Sequence, residues 1–150
     1  MKRILIVDDS VRDMELALNA LDQAKLRDQV IPMREGSDAL DYLFRCAKFA
    51  NRTDPDPAVI LLDLKMPRVD GLEILRRVKA DPLLRVIPVI MMTSSREQRD
   101  LVDSYKLGVN AYVVKPLRFA EFISVIKALG IFWASMNLPP PQAAKVDLGI

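Results

Sequence analysis

The chain has 150 residues, 51% of them hydrophobic, with 22 Lys+Arg against 20 Asp+Glu and a net charge of +2. That suits one domain with a real core and argues against a nucleic-acid binder, which would show a strong basic excess or stripe. There is no histidine and one cysteine, which excludes histidine phosphotransfer, His metal ligands, Ser-His or Cys-His catalysis and an internal disulfide.

The N-terminus shows no signal-peptide pattern. The most apolar late stretch, Leu129 to Met136, falls short of the roughly 20 residues that span a bilayer. A cytoplasmic protein, associated with neither membrane nor DNA, is the expectation. Ile4 to Val7 reads as a buried strand, and Val11 to Ala24 as a helix with Met14, Leu18 and Leu21 on one face. Gln29 to Met33 is a second strand, confined to an edge by Pro32. Ser37 to Cys46 is a second helix, with Cys46 expected as a small buried hydrophobe rather than a redox group. Ala47 to Pro57 is a polar loop. Val59 to Leu62 is the third strand. Asp70 caps a helix that runs to about Ala80. Val89 to Met92 is the fourth strand, and Arg96 to Leu107 a helix stopped at Gly108. Ala111 to Val114 is the fifth strand, Phe119 to Trp133 the last helix, and a Pro-rich tail follows.

Strands alternating with helices predict an α/β fold, a parallel sheet with helices on both faces. The uninterrupted apolar character of strands 1, 3 and 4 marks them as covered on both faces. Order 2-1-3-4-5, familiar from flavodoxin-like (βα)5 three-layer sandwiches, satisfies these demands; other doubly wound orders fit the pattern as well. In such sheets ligands bind beyond the C-terminal strand ends, where strand order reverses. The residues there are Asp8-Asp9 after strand 1, Asp63 after strand 3, Thr93-Ser94-Ser95 after strand 4 and Lys115-Pro116 after strand 5. A like-charge pair at about 4 Å repels by on the order of 1 kcal/mol in water and several times that near a protein surface. A hard divalent cation relieves this, and Mg²⁺ favours one or two carboxylates plus water and phosphate. Phosphoryl transfer rests on such neutralisation and positioning, and a carboxylate can be the covalent acceptor. Singly, each feature has a plain reading: Asp8-Asp9-Ser10 as a helix cap, Asp63 as a turn residue, Lys115 as a solvated charge.

Taken together, Ile4 to Ser10, Leu61 to Pro67, Asp70-Gly71, Thr93 to Ser95, Gly108, Tyr112 and Lys115-Pro116 resemble the receiver domain of two-component response regulators over about residues 1–130. The resemblance implies Asp63 as phosphoacceptor, with Asp9 on Mg²⁺ directly, Asp8 mainly through water and the Lys65 backbone carbonyl completing the ligands. It implies Thr93 and Tyr112 as a switch pair, Lys115 on the phosphoryl group and a cis Lys115–Pro116 bond. Lys65, two residues past the acceptor, occupies a position that affects phosphoryl lifetime in the family. The loop Ala47 to Pro57, Tyr105 to Tyr112 and Ile131-Phe132-Trp133 further resemble the small regulators partnered with bacterial phytochrome histidine kinases. Residues 1–134 are then a receiver and 135–150 a tail with no separate output domain. On this reading the partner is a sensor histidine kinase.

Phe119, Phe122, Ile123, Ile126 and Leu129 can face the sheet, which leaves Val125, Phe132, Trp133 and Met136 to be covered by the tail or by a partner; a homodimer through the last helix and tail is the expectation. Three rival functions are weaker. Haloacid-dehalogenase phosphatases need two Asp separated by one residue after strand 1, not adjacent Asp8-Asp9. A nucleotide-binding enzyme needs a Gly-rich loop. A DNA-binding regulator needs an output domain for which the tail has no room. A degenerate receiver acting as a scaffold, and a phosphate sink or relay, remain as alternatives within the family resemblance.

Overall fold

The structure is a computed structural model and describes residues 2–116 and 118–140. Five parallel strands, β1 (Ile4–Val7), β2 (Val30–Met33), β3 (Val59–Leu62), β4 (Val89–Thr93) and β5 (Ala111–Val114), form one sheet in the order β2-β1-β3-β4-β5. Pro32 lies on β2, paired only with β1 and opposite Ile6, so its missing N–H faces no second neighbour. The helices between the strands are α1 (Val11–Gln23), α2 (Gly36–Phe44), α3 (Gly71–Ala80), α4 (Gln98–Lys106) and α5 (Phe119–Ile131).

Alternation along each strand divides the core into two layers. Leu5, Val7, Ile60, Leu62 and Met91 pack with α2 and α3 on one face. Ile4, Ile6, Leu61, Ile90 and Met92 pack with α1 and α5 on the other. This is the three-layer sandwich that the chain pattern predicts.

The departures from expectation are local and have physical causes. α4 begins at Gln98 rather than Arg96, because the Ser95 hydroxyl accepts the Glu97 backbone N–H at 3.3 Å and holds those residues in a turn. α2 ends earlier, where Arg45 turns left-handed at φ 55°. That turn carries Cys46 off the helix, so Cys46 is exposed, 3.3 Å from Asp41 Oδ1, and is not the buried hydrophobe expected.

α5 buries Phe122, Ile123 and Ile126. Phe119 does not face the sheet: it is 57% exposed, because as the first helical residue it stands ahead of the turn that packs. Val125, Leu129 and Trp133 are partly buried against the core, whereas Phe132 and Met136 (70% exposed) remain in the open. A π turn, Phe132–Met136, extends the helix. By length and composition alone Phe119–Met136 suffices to cross a membrane, a longer run than Leu129 to Met136 suggests. Its Phe122, Ile123, Ile126 and Ala134 nevertheless lie in the core formed with α1 and the sheet. Of the Pro-rich tail, residues 141–150 lie outside the described residues.

Candidate phosphoacceptor site

The site is built by extending the sheet ladder one residue past each strand. Asp8 donates its backbone N–H to Met33 O at 3.0 Å, Asp63 to Val7 O at 2.9 Å and Lys115 to Thr93 O at 2.7 Å. These bonds fix three charged side chains at one edge of the sheet. α3 closes the site from the side: Asp70 caps it by accepting the Glu73 N–H at 3.0 Å, and Gly71 donates its N–H to Leu64 O at 2.8 Å. Glycine is required there by close approach. A Cβ at Gly71 would stand 2.3 Å from Asp63 O and 2.8 Å from Leu64 Cα.

Asp8, Asp9 and Asp63 each offer a carboxylate oxygen, all within 4.8 Å of one another. Asp8 and Asp63 are buried and Asp9 is half-buried. At about 4 Å such a pair repels by on the order of 4 kcal/mol at an effective dielectric near 20. Burial pushes Asp63 up to about 7; Lys115 opposes the shift, and the charges of Asp8 and Asp9 add to it. Burial likewise raises Asp8, with Lys115 pulling the other way. Three mutually repelling oxygen donors of this kind are a hard-cation donor set, so the residues fit a divalent metal.

Lys115 is the positive counterpart. Its Nζ donates to Asp8 Oδ2 at 2.7 Å and to Asp13 Oδ2 at 2.8 Å, and lies 3.7 Å from Asp63 Oδ1. Burial works against this ammonium, but Asp8, Asp13 and Asp63 outweigh it and hold its pKa above the usual lysine value. Among the described residues no peptide bond is cis, so the expected cis Lys115–Pro116 bond is corrected to trans. Trans is the intrinsically preferred form by about 0.5–1 kcal/mol, and Lys115 reaches its carboxylates from it.

Thr93 is fully buried at the end of β4, and its hydroxyl accepts the Ser95 N–H at 3.2 Å. Tyr112 donates its hydroxyl to Ser95 O at 3.1 Å, so the two expected switch residues meet through Ser95 rather than directly. The Lys65 side chain is turned away to an ion pair with Asp100.

Two residues of the site escaped the sequence reading. Asp13 sits in the first turn of α1 after the Ser10 cap, whose hydroxyl accepts the Asp13 N–H at 3.2 Å. The spacing Ser10-x-x-Asp13 signals a capped helix start and says nothing of a lysine 102 positions away. Asp100, only 6% exposed, accepts the hydroxyl of Ser95 and the ammonium of Lys65, which hold its carboxyl below the usual range in that order of weight.

The response regulator receiver domain model matches residues 4–127. The chain belongs to this family of signalling domains, which are phosphorylated by histidine kinases, bind a divalent metal at an acidic pocket and are not enzymes in the ordinary sense. It is 34% identical to response regulator Rcp1 of Synechocystis sp. over 92% of this chain and 93% of that protein. The Mn²⁺-bound structure of Rcp1 superposes with a TM-score of 0.86 at 33% identity, over 94% of this chain and 100% of that one. The phosphorylated cyanobacterial phytochrome response regulator RcpA gives 0.86 at 34% identity over 93% and 99% of the two chains. The bacteriophytochrome response regulator RtBRR is 53% identical, with a TM-score of 0.74 over 99% of this chain and 90% of that one. The chain thus resembles single-domain regulators over nearly their whole length.

Proposed function

We propose that this protein is a single-domain response regulator that accepts a phosphoryl group from a sensor histidine kinase on Asp63 in a Mg²⁺-dependent reaction. The observation that carries the reading is the placement of Asp63 within 4.8 Å of Asp8 and Asp9 and 3.7 Å from the Lys115 ammonium. Asp9 and Asp63 would hold Mg²⁺ directly, Asp8 through water, and the Lys65 backbone carbonyl would complete the set. When bound, the ion supplies charge neutralisation between the carboxylates and the incoming phosphoryl oxygens. The Asp63 carboxylate attacks phosphorus, a new O–P bond forms, the N–P bond to the kinase imidazole breaks, and the imidazole leaves with its electron pair and takes a proton. Lys115 faces the place where charge gathers on the phosphoryl oxygens.

Thr93 and Tyr112 form the switch. The Thr93 hydroxyl, now an acceptor for Ser95, turns to donate to a phosphoryl oxygen. Loss of that contact releases the loop to which Tyr112 is bonded. The kinship with phytochrome regulators supports a bacteriophytochrome as the kinase. We assign residues 1–134 to the receiver and 135–150 to a Pro-rich tail. The reading places the protein in the cytoplasm, away from DNA and membrane, with chemistry confined to its own phosphorylation and dephosphorylation. The open Phe132 and Met136 support a homodimer through the last helix. Sedimentation should give a dimer mass that Phe132→Lys reduces to a monomer; a concentration-independent monomer rejects this part.

The deciding experiment is incubation with Mg²⁺ and acetyl phosphate, read by intact mass spectrometry. A phosphate-sized gain that needs Mg²⁺ and is absent from folded Asp63→Asn supports the assignment. A gain that persists in Asp63→Asn rejects it.

A further inference from the structure

Asp8 answers to two demands at once. It belongs to the carboxylate triad, and it is one of the two carboxylates that accept a hydrogen bond from Lys115, Asp63 lying farther off at 3.7 Å. A carboxylate drawn toward a divalent cation loses its hold on an ammonium group, because the cation's charge repels the lysine. Lys115 would then be a buried charge on a flexible four-carbon stem, with one of its two hydrogen bonds lost.

Asp13 resolves this. Its Oδ2 lies 2.8 Å from Lys115 Nζ, and its side chain is largely buried. It lies outside the triad that offers oxygens to a metal. Its backbone is fixed by the Ser10 cap in the first turn of a helix anchored by Met14, Ala17, Ala20 and Leu21. Its other oxygen has a neighbour at 3.3 Å, the largely exposed Arg12, which screens it little.

We propose that Asp13 is a positioning residue for Lys115, the seat that keeps the ammonium beside Asp63 once a cation draws on Asp8 through its bound water. The inference rests on the phosphoacceptor reading. In the metal-free protein Lys115 has two seats, and either one suffices. In the metal-loaded protein Asp13 is the hydrogen-bonded seat that remains, and the distance from Nζ to Asp63 is set from α1.

The test follows the Lys115 ammonium protons by ¹H–¹⁵N NMR, in which a buried, hydrogen-bonded ammonium exchanges slowly enough to be seen. Wild type, Asp13→Asn, Asp13→Glu and the exposed control Glu15→Gln are compared with and without saturating Mg²⁺, alongside backbone amide spectra. Asp13→Asn removes the charge and keeps the backbone N–H that Ser10 caps; Asp13→Ser serves if the Asn variant does not fold. The Lys115 signal is expected in wild type under both conditions. In Asp13→Asn it should persist without Mg²⁺ and vanish when Mg²⁺ is added. Phosphorylation by phosphoramidate at saturating Mg²⁺ should fall roughly 10-fold in maximal rate with the donor half-saturation unchanged. Asp13→Glu should restore the signal and most of the rate.

A signal that survives Mg²⁺ in Asp13→Asn, or an unchanged maximal rate in that variant, overturns the proposal. So does a signal already lost without Mg²⁺, or one missing from Mg²⁺-loaded wild type. If wild type itself takes no phosphoryl group, the phosphoacceptor reading fails, while the ammonium signal still decides the role of Asp13.

Discussion

The Lys65 ammonium stands 3.3 Å from Asp100 Oδ2, the same oxygen that accepts the Ser95 hydroxyl at 2.5 Å. One carboxylate on α4 therefore ties the residue two places past Asp63 to the loop that follows β4. Ser104 donates its hydroxyl to the Asp100 backbone carbonyl at 2.7 Å and steadies that turn.

On the proposed reading of Asp63 as phosphoacceptor, freeing Lys65 should change the life of the phosphoryl group. In Asp100→Asn the ammonium loses its partner and is free to pair with the phosphoryl oxygens on Asp63. The lifetime is expected to lengthen by about 2- to 5-fold, the size of an exposed ion pair worth up to about 1 kcal/mol. Adding Lys65→Ala should erase the gain. Single-turnover decay of the labelled protein measures both; equal lifetimes in Asp100→Asn and wild type would rule the idea out.

The metal site should respond to pH near neutrality. Asp63 titrates at about 7, raised first by burial, and a cation needs its ionised form. Mg²⁺ affinity should rise from pH 6 to pH 8, as calorimetric titration will show. The sign for stability is opposite. A carboxyl with a raised folded-state pKa stabilises fully below its unfolded value near 3.8 and loses that contribution as pH rises through about 7. Metal-free protein should therefore lose urea resistance between about pH 4 and 7, and Mg²⁺ should restore it at pH 8. Asp63→Asn should be more stable than wild type at pH 8 in chelator.

Gly71→Ala should disturb Asp63 without touching a charge. The added methyl meets Asp63 O and Leu64 Cα, backbone atoms that cannot step aside. Overpacking of this kind costs about 1–3 kcal/mol. Thermal unfolding should show that loss, and Mg²⁺ affinity should fall with it. A variant with wild-type melting and wild-type metal affinity would contradict the close approach.

Arg52→Ala should be among the most destabilising single changes in the long loop before β3. The Arg52 guanidinium is buried, stacks 3.9 Å from the Tyr42 ring centre, donates to Tyr42 O at 3.0 Å and reaches Asp56 Oδ1 at 3.1 Å. Removing it should cost about 3–5 kcal/mol in chemical denaturation, because it breaks a buried ion pair and its hydrogen bonds together. The phosphoacceptor site should keep its metal affinity.

The strands were legible because their signals are local and strong. Val59–Leu62 and Ala111–Val114 have the expected bounds, and Pro32 alone sends β2 to an edge. Asp8, Asp9, Asp63 and Lys115 were legible for a related reason: a parallel sheet brings strand ends together, whatever their separation in the chain. What stayed hidden depends on side-chain geometry. The pairing of Asp13 with Lys115 needs α1 and β5 already in place. The late start of α4 depends on which way the Ser95 hydroxyl turns, and the exposure of Cys46 on a single left-handed residue, Arg45. The Lys115–Pro116 bond shows the limit of resemblance, since the isomer was inferred from kinship and not from these residues.

The backbone bonds that extend the ladder into Asp8, Asp63 and Lys115 give the site an anvil. The peptide units that carry these charges are pinned to the neighbouring strands, so the charge that phosphorylation of Asp63 would add, on the proposed reading, would meet a braced backbone. Ser95 and Glu97 are held differently: their N–H groups rest on the hydroxyls of Thr93 and Ser95, which rotate about a single bond. On the proposed reading, a phosphoryl group on Asp63 would act on the segment held by these side-chain hydroxyls rather than on the ladder, and the sheet would give the signal its direction.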